Sequence, residues 1–123
     1  MNIEEYRDYC LSKPGVTEGF PFDEHVLVFK VMGKMFALTD VDQFESINLK
    51  CDPHKALELR EAYPGIIAGF HMNKTNWNTV TTDGSVDNPF LYELIDHSYA
   101  MVVSGLTKKL QKELAALGYS LPS

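Results

Sequence analysis

The chain has 123 residues, of which 45% are hydrophobic and 23% are charged, and its formal net charge is -6. This length and balance predict a single globular domain over residues 1–123, and no apolar run reaches the ~20 residues that a transmembrane helix needs. The acidic balance argues against strong non-specific binding to nucleic acid, which depends on clustered lysine and arginine, although a local basic patch stays open.

Helical spacing of apolar residues predicts a first helix over residues 2–12, which Lys13-Pro14-Gly15 ends. The acidic start of this segment lacks the basic and apolar stretches of a secretory signal. Residues 19–23 predict a loop whose phenylalanines, Phe20 and Phe22, plug the edge of the core.

A β-hairpin is predicted next. Residues 26–32 and 35–39 are rich in β-branched and aromatic side chains, and Gly33-Lys34 between them is a two-residue turn signal. Residues 46–51 alternate polar and apolar side chains, which predicts a half-buried strand.

Proline and glycine mark the boundaries of the following elements. Asp52-Pro53 predicts the start of a helix that Tyr63-Pro64-Gly65 closes. Residues 66–72 and 76–82 predict a second strand pair, and Asp83-Gly84 turns the chain after it. If the first strand of this pair continues far enough, the side chains of His71 and Asn73 share one face.

Two helices are predicted at the end of the chain. Asn88-Pro89 caps a long one with an apolar stripe, and Thr107 caps a last one that ends near Gly118. The inward positions are expected to be Leu91, Leu94, Ile95, Ser98, Tyr99 and Val102 on the long helix, and Leu110, Leu114 and Leu117 on the last. The order α-β-β-β-α-β-β-α with an extra C-terminal helix predicts an α+β fold, in which helices cover one face of an antiparallel sheet and the other face is partly open.

Signatures of chemistry are scarce in the sequence. It contains no dinucleotide-binding, phosphate-loop, zinc-protease or serine-hydrolase motif. The four histidines, His25, His54, His71 and His97, are scattered, so each is assigned a structural or surface role. Cys10 and Cys51 lie outside any paired spacing and predict buried free thiols in a reducing cytoplasm. No catalytic residue, metal site or cofactor is expected, and the chain is not expected to be an enzyme.

The segment 69–78 combines His71, Asn73, Lys74 and Asn76 with Trp77, the only tryptophan. In a structural interpretation, Trp77 anchors a turn and the asparagines bond local backbone. In a functional interpretation, Lys74 lies at a hairpin tip beside amides and an aromatic ring that suit contact with nucleic acid. Both interpretations are open at this point.

The same segment resembles the MmcQ/YjbR family of small bacterial proteins. The resemblance rests on His71-Met72-Asn73-Lys74 followed by Trp77. It extends over nearly the whole chain, through Pro14-Gly15-Val16-Thr17-Glu18, Phe20-Pro21-Phe22, Phe29-Lys30-Val31, the Gly33-to-Ala37 hairpin and Ser98-Tyr99. One departure is Asn76, where the family often has a second histidine.

The resemblance implies one MmcQ/YjbR-like domain over residues 1–123, with a compact α+β fold similar to CyaY/frataxin and to secretion chaperones. It also implies a DNA-binding label, in which two β-hairpins act as a double wing. His71, Met72 and Trp77 are then structural signature residues.

Two functions follow as hypotheses. The first is weak, salt-dependent binding of double-stranded DNA by a cytoplasmic, non-enzymatic protein. The residues expected at or near the contacts are Lys30, Lys34, Asn73, Lys74, Asn76, Lys108 and Lys109, with Lys112 extending the basic edge. The second is a chaperone-like module whose open sheet face receives a protein or peptide. Neither hypothesis places the chain in a membrane.

Overall fold

The computed structural model describes residues 1–120, and residues 121–123 of the expected domain lie outside the described part. The helices are α1 (Ile3–Leu11), α2 (Pro53–Ala62), α3 (Asn88–Ser104) and α4 (Lys108–Ala116). The strands are β1 (Val16–Gly19), β2 (Val26–Val31), β3 (Lys34–Asp40), β4 (Ser46–Lys50), β5 (Ile66–Ala68) and β6 (Trp77–Thr81). The expected α+β class, with helices covering an antiparallel sheet, is confirmed.

All six strands join one antiparallel sheet in the order β1-β2-β3-β4-β6-β5. β1 is absent from the predicted element order. It is a four-residue edge strand with no fully buried side chain, so the hydrophobic alternation that reveals the other strands is missing.

The β2–β3 turn lies one residue earlier than predicted. Val31 pairs with Lys34, which makes Met32 and Gly33 the two turn residues, with φ angles of 49° and 85°. Positive φ at both central positions gives the turn whose twist matches a hairpin, and glycine adopts it without steric cost.

The prediction of a strand over residues 66–72 is wrong, because β5 ends at Ala68. His71 has a φ of 58°, a turn conformation that an extended strand excludes. Residues 69–76 are instead a loop, so His71 and Asn73 do not alternate along a strand. Gly69 begins this loop packed so tightly on Trp77 that a Cβ atom there would lie 2.8 Å from the Trp77 Cβ.

The core lies between the helices and one face of the sheet. The α3 stripe, predicted from helical spacing, is buried as expected: Leu91, Leu94, Ile95, Ser98, Tyr99 and Val102. Ser98 is fully buried because its hydroxyl is satisfied twice: it donates to the Phe36 carbonyl and accepts the Lys50 backbone N–H at 2.8 Å. This pair of bonds ties α3 to β3 and to the end of β4.

Smaller differences concern the helix ends. The side chain that caps α3 is Asp87, which accepts the Phe90 N–H, rather than the predicted Asn88. In α4, Leu114 is buried, but Leu117, which follows the last residue of the helix, is 59% exposed and is not an inward position.

Cys10 and Cys51 are both buried and form no disulfide, as predicted. Among the described residues no helix is long and apolar enough to span a bilayer.

Candidate interaction surface on the open sheet face

The sheet face that the helices leave open has its own small apolar cluster. Val28, Leu38 and Trp77, from β2, β3 and β6, are its buried members. Met35 and Met72 pack around them. Because Trp77 is only 8% exposed, it forms a floor for this face rather than a protruding contact.

Two loops bring exposed phenylalanines to this floor. Phe22, in the loop 20–25, is 64% exposed, and Phe70, in the loop 69–76, is 63% exposed. Phe20 is 48% exposed, so the expectation that Phe20 and Phe22 plug the core edge is wrong. The reason is that β1 occupies the sheet edge and the loop after it lies beyond the core. Fully burying a phenylalanine side chain contributes about 1.5–3 kcal/mol of free energy. A ring that is left largely exposed loses much of this contribution, which favours a surface with a partner.

A concavity of about 450 Å³ lies between the two loops. Phe22 and Phe70 line it from opposite loops, and Val26, Leu38 and Asn48 line it from the strands. We call it the phenylalanine groove. His71 also borders it, with its ring centroid 4.1 Å from that of Phe70.

Carboxylates surround one end of the phenylalanine groove. Asp40 lines it directly. Asp23 accepts the backbone N–H groups of His25 and Val26 at 2.8 and 2.9 Å, and these hydrogen bonds lower the Asp23 pKa. The His25 Nδ1 lies 2.5 Å from the Asp42 carboxylate, and this hydrogen bond raises the pKa of His25. This end of the face is therefore acidic at neutral pH.

Arg60 of α2 holds the loop 69–76 from beneath. Its Nε donates to the Asn78 side-chain oxygen at 2.6 Å, and its Nη2 donates to the Trp77 carbonyl at 3.2 Å and to the Lys74 carbonyl. Asn78 is 2% exposed, so the guanidinium satisfies a buried acceptor while it ties the second half of the loop to the start of β6.

Polar side chains within the loop are also used locally. The Asn73 side-chain oxygen accepts the N–H groups of Thr75 and Asn76 at 2.9 and 3.3 Å, which forms a turn. The Lys74 ammonium, although exposed, donates back to the Gly69 carbonyl at 3.2 Å. These hydrogen bonds to local backbone agree with the structural interpretation of this segment, in which its polar side chains form and satisfy the turn.

The opposite end of the sheet is rich in lysine. Lys34 and Lys50 line one shallow concavity with Trp77, Gly105 and Leu106. Lys108 and Lys109 follow at the exposed start of α4. We define the lysine end as Lys30, Lys34, Lys50, Lys74, Lys108 and Lys109. Within residues 1–120, none of these ammonium groups lies within 4.0 Å of a carboxylate.

Lys50 belongs to the lysine end but is not among the contact residues predicted from the sequence. Its position was visible in the polar alternation of Ser46, Asn48 and Lys50, which places Lys50 on the face opposite Ile47 and Leu49. Asn73 and Asn76 lie in the loop near this end, where the Asn76 carbonyl accepts the Cys51 N–H at 2.7 Å.

Across the described part of the chain, no three histidine, cysteine, aspartate or glutamate side chains are grouped as metal ligands. His97 is half-buried and its Nε2 accepts the Asp52 N–H at 3.1 Å, while burial lowers its pKa. This histidine is thus neutral and positions the start of α2.

Comparisons with known proteins agree on one family. The family model described as YjbR matches residues 11–101. The Escherichia coli protein YbdF is 38% identical over 112 residues, which cover 90% of this chain and 92% of YbdF. The Escherichia coli protein YjbR is 33% identical over 118 residues, which cover 95% of this chain and all of YjbR. Both relatives are described as uncharacterised.

Solved structures show the same fold. The crystal structure of Deinococcus radiodurans protein DR2400, a DUF419 domain, superposes with a TM-score of 0.88 at 43% identity, covering 99% of this chain and 93% of that one. A crystal structure of a Pseudomonas syringae protein gives a TM-score of 0.70 at 28% identity, covering 82% of this chain and 98% of that one. The fold described above is therefore shared with proteins of Deinococcus radiodurans and Pseudomonas syringae.

Proposed function

This chain belongs to the YjbR family, and on that premise we propose that it is a non-enzymatic module that binds double-stranded DNA weakly through its lysine end. The single observation that supports this proposal most is the separation of charge between the two ends of the sheet. The lysine end has ammonium groups without carboxylate partners among residues 1–120, although the net charge of the chain is -6.

Hairpin geometry gives further support. The β2–β3 turn, the end of β4 at Lys50 and the loop before β6 lie at the same end of the sheet, because Val31 pairs with Lys34 and Lys50 pairs with Trp77. Both hairpin tips of the double-wing idea thus point the same way. The acidic loops lie at the other end, where phosphate is repelled.

The expected affinity is modest and depends steeply on salt. With ~3–6 phosphate contacts, the binding constant falls about 40-fold to about 2,000-fold between 50 and 200 mM salt, because each contact releases condensed counterions. Lys30, Lys34 and Lys50 supply contacts from the strands, and Lys108 and Lys109 supply them from α4.

Fluorescence anisotropy of a labelled duplex at the two salt concentrations tests the proposal. The Lys34→Ala/Lys50→Ala variant is expected to bind more weakly and to lower the slope of log K against log salt by about 2. The control is Arg7→Ala, which removes one charge from α1, where Arg7 pairs with Glu18 at 2.5 Å. No binding at 50 mM salt, or equal effects of both variants, contradicts the proposal.

A second function, protein interaction through the open sheet face, is favoured by an observation of its own. Phe22 and Phe70 are nearly two-thirds exposed on either side of the phenylalanine groove. The charged phosphate surface of a duplex offers these rings little apolar area to bury. The two functions use different ends of the sheet, and one protein can have both.

A further inference from the structure

The phenylalanine groove has the size and lining of a site for bulky apolar side chains. Its volume of about 450 Å³ lies within the ~300–1,000 Å³ range of ligand sites. Phe22 and Phe70 provide aromatic walls, and Val26 and Leu38 provide an aliphatic base. The Phe70 backbone N–H donates to the Thr79 hydroxyl at 2.9 Å, which holds the Phe70 wall against β6.

The charge beside the groove selects the sign of its occupant. Asp40 lines the groove, and Asp23, Glu24 and Asp42 lie on the adjoining loops. His25 is the basic side chain among them, with its Nε2 3.6 Å from Glu24 and its Nδ1 2.5 Å from Asp42. Even a protonated His25 leaves these carboxylates in excess, so a cation is attracted and an anion repelled.

The same charge argues against a second copy of this chain as the occupant. In a two-fold dimer the same patch meets itself, so the groove of one chain faces the groove of its partner. Asp23, Asp40 and Asp42 of the two copies would then face each other, which is unfavourable because like charges close to an interface cost binding energy. A partner of opposite charge avoids this repulsion.

We propose that the phenylalanine groove docks a cationic polypeptide segment, with a large apolar side chain held between Phe22 and Phe70 and a flanking lysine or arginine at Asp40 and its neighbouring carboxylates. This inference rests on the second proposed function, protein interaction through the open face. It adds the chemistry of the partner: an apolar anchor next to basic residues.

Peptide titrations monitored by NMR on the full ¹⁵N-labelled chain test this inference. The first probe is the blocked peptide acetyl-Arg-Leu-Phe-Leu-Arg-amide, and the second has glutamate in place of both arginines. The first probe is expected to shift the amide signals of Phe22, Phe70 and Met72 in a saturable way. The second is expected to bind about tenfold more weakly, because exposed charge pairs change from attraction to repulsion.

Two exposed substitutions separate the apolar and the ionic contributions without disturbing the core. Phe70→Ala is expected to weaken both probes about tenfold or more, because one groove wall is lost. Asp40→Asn is expected to weaken only the arginine probe, by about threefold. Lys34→Ala, at the lysine end, is the control and is expected to leave both probes unchanged.

Each contrary outcome has a distinct meaning. Equal affinity for the two probes overturns the cationic occupant but leaves the groove as an interaction surface. If neither probe shifts the groove signals at millimolar concentration, both this inference and the second proposed function are contradicted. Shifts of the same signals on raising the concentration of the protein alone identify a second copy as the occupant and also overturn the inference.

Discussion

The lysine end and the phenylalanine groove lie towards opposite ends of one sheet and differ in how they are built. The lysines of the first come largely from strand positions and the start of α4, and Lys34 and Lys50 flank a shallow concavity that Trp77 and Leu106 also line. The second has apolar walls that come from two loops, and its neighbouring charges are carboxylates. A chain with a net charge of -6 can therefore present a local surface for anions, provided that its acids lie elsewhere.

Trp77 adjoins both regions, because it lines the concavity at the lysine end and packs against Leu38, which lines the groove. It packs with Val28 and Leu38 beneath the open face and lines the concavity beside Lys34 and Lys50. Trp77→Ala is expected to lower the free energy of unfolding by about 3–5 kcal/mol, measured by urea denaturation, and to weaken DNA and peptide binding together. Trp77→Phe should retain most of the stability. If Trp77→Ala weakened only DNA binding or only peptide binding, Trp77 would support one of the two regions and not both.

Arg60 affects the two regions unequally, because it bonds the loop that supplies the Phe70 wall of the groove and, of the lysine end, only Lys74. Arg60→Ala is expected to lower unfolding free energy by about 1.5–3 kcal/mol, since the buried Asn78 oxygen loses a charged donor. Peptide binding should weaken more than DNA binding. Arg60→Lys keeps the charge but lacks the fork that reaches two acceptors, so it should recover little. Full recovery by lysine would mean that charge, rather than geometry, holds the loop.

Gly69 and Gly19 form a matched pair at the starts of the two groove loops. A Cβ at Gly69 would lie 2.9 Å from the Trp77 carbonyl oxygen, whereas a Cβ at Gly19 meets nothing within 4 Å. Gly69→Ala is expected to lower the unfolding free energy by about 1–3 kcal/mol, and Gly19→Ala to change it by less than about 1 kcal/mol. Thermal unfolding of both variants checks this, and similar melting temperatures would contradict the packing described for Gly69.

His25 gives the smallest expected effect, and it affects the groove alone. Its pKa is raised above the ordinary 6.5, first by the hydrogen bond to Asp42 and then by the charges of Asp42, Asp23 and Asp40. The contact therefore stabilises the fold fully below pH 6.5 and is lost as pH rises through the raised pKa. Protonation also reduces the negative charge beside the groove, so the arginine probe should bind more weakly on the acid side. An NMR titration should show the His25 pKa falling in Asp42→Asn, and no change would contradict the pairing.

The sequence predicts the strand-derived parts of this face better than the loop-derived parts. The alternation of polar and apolar residues along a strand is sufficient to predict that Lys30 and Lys50 point away from the core. The apolar stripe of α3 is sufficient to predict that Ser98 and Tyr99 are buried. The loop 69–76 is different, since β-rich composition predicts a strand through Met72. Close packing of Gly69 on Trp77 and the Arg60 bonds end β5 early, and both are tertiary contacts between residues distant along the chain.

Phe22 illustrates the same limit. Phenylalanine is among the residues most often buried, and nothing local reveals that β1 leaves Phe22 outside the core. The family resemblance identified the correct fold from the segment around His71 and Trp77. It did not reveal the phenylalanine groove, because the groove exists only when two loops far apart in sequence meet.

The central claim, that the two ends of the sheet bind an anionic and a cationic partner, is tested most directly by an NMR titration of the full chain with a short DNA duplex at 50 mM salt. The account predicts amide shifts at Gly33, Lys34, Lys50 and residues 105–109, and unchanged signals at Phe22, His25 and Asp40. It also predicts that the arginine probe still binds the groove when DNA is present. Shifts centred on the acidic end, or displacement of DNA by the probe, would contradict the division.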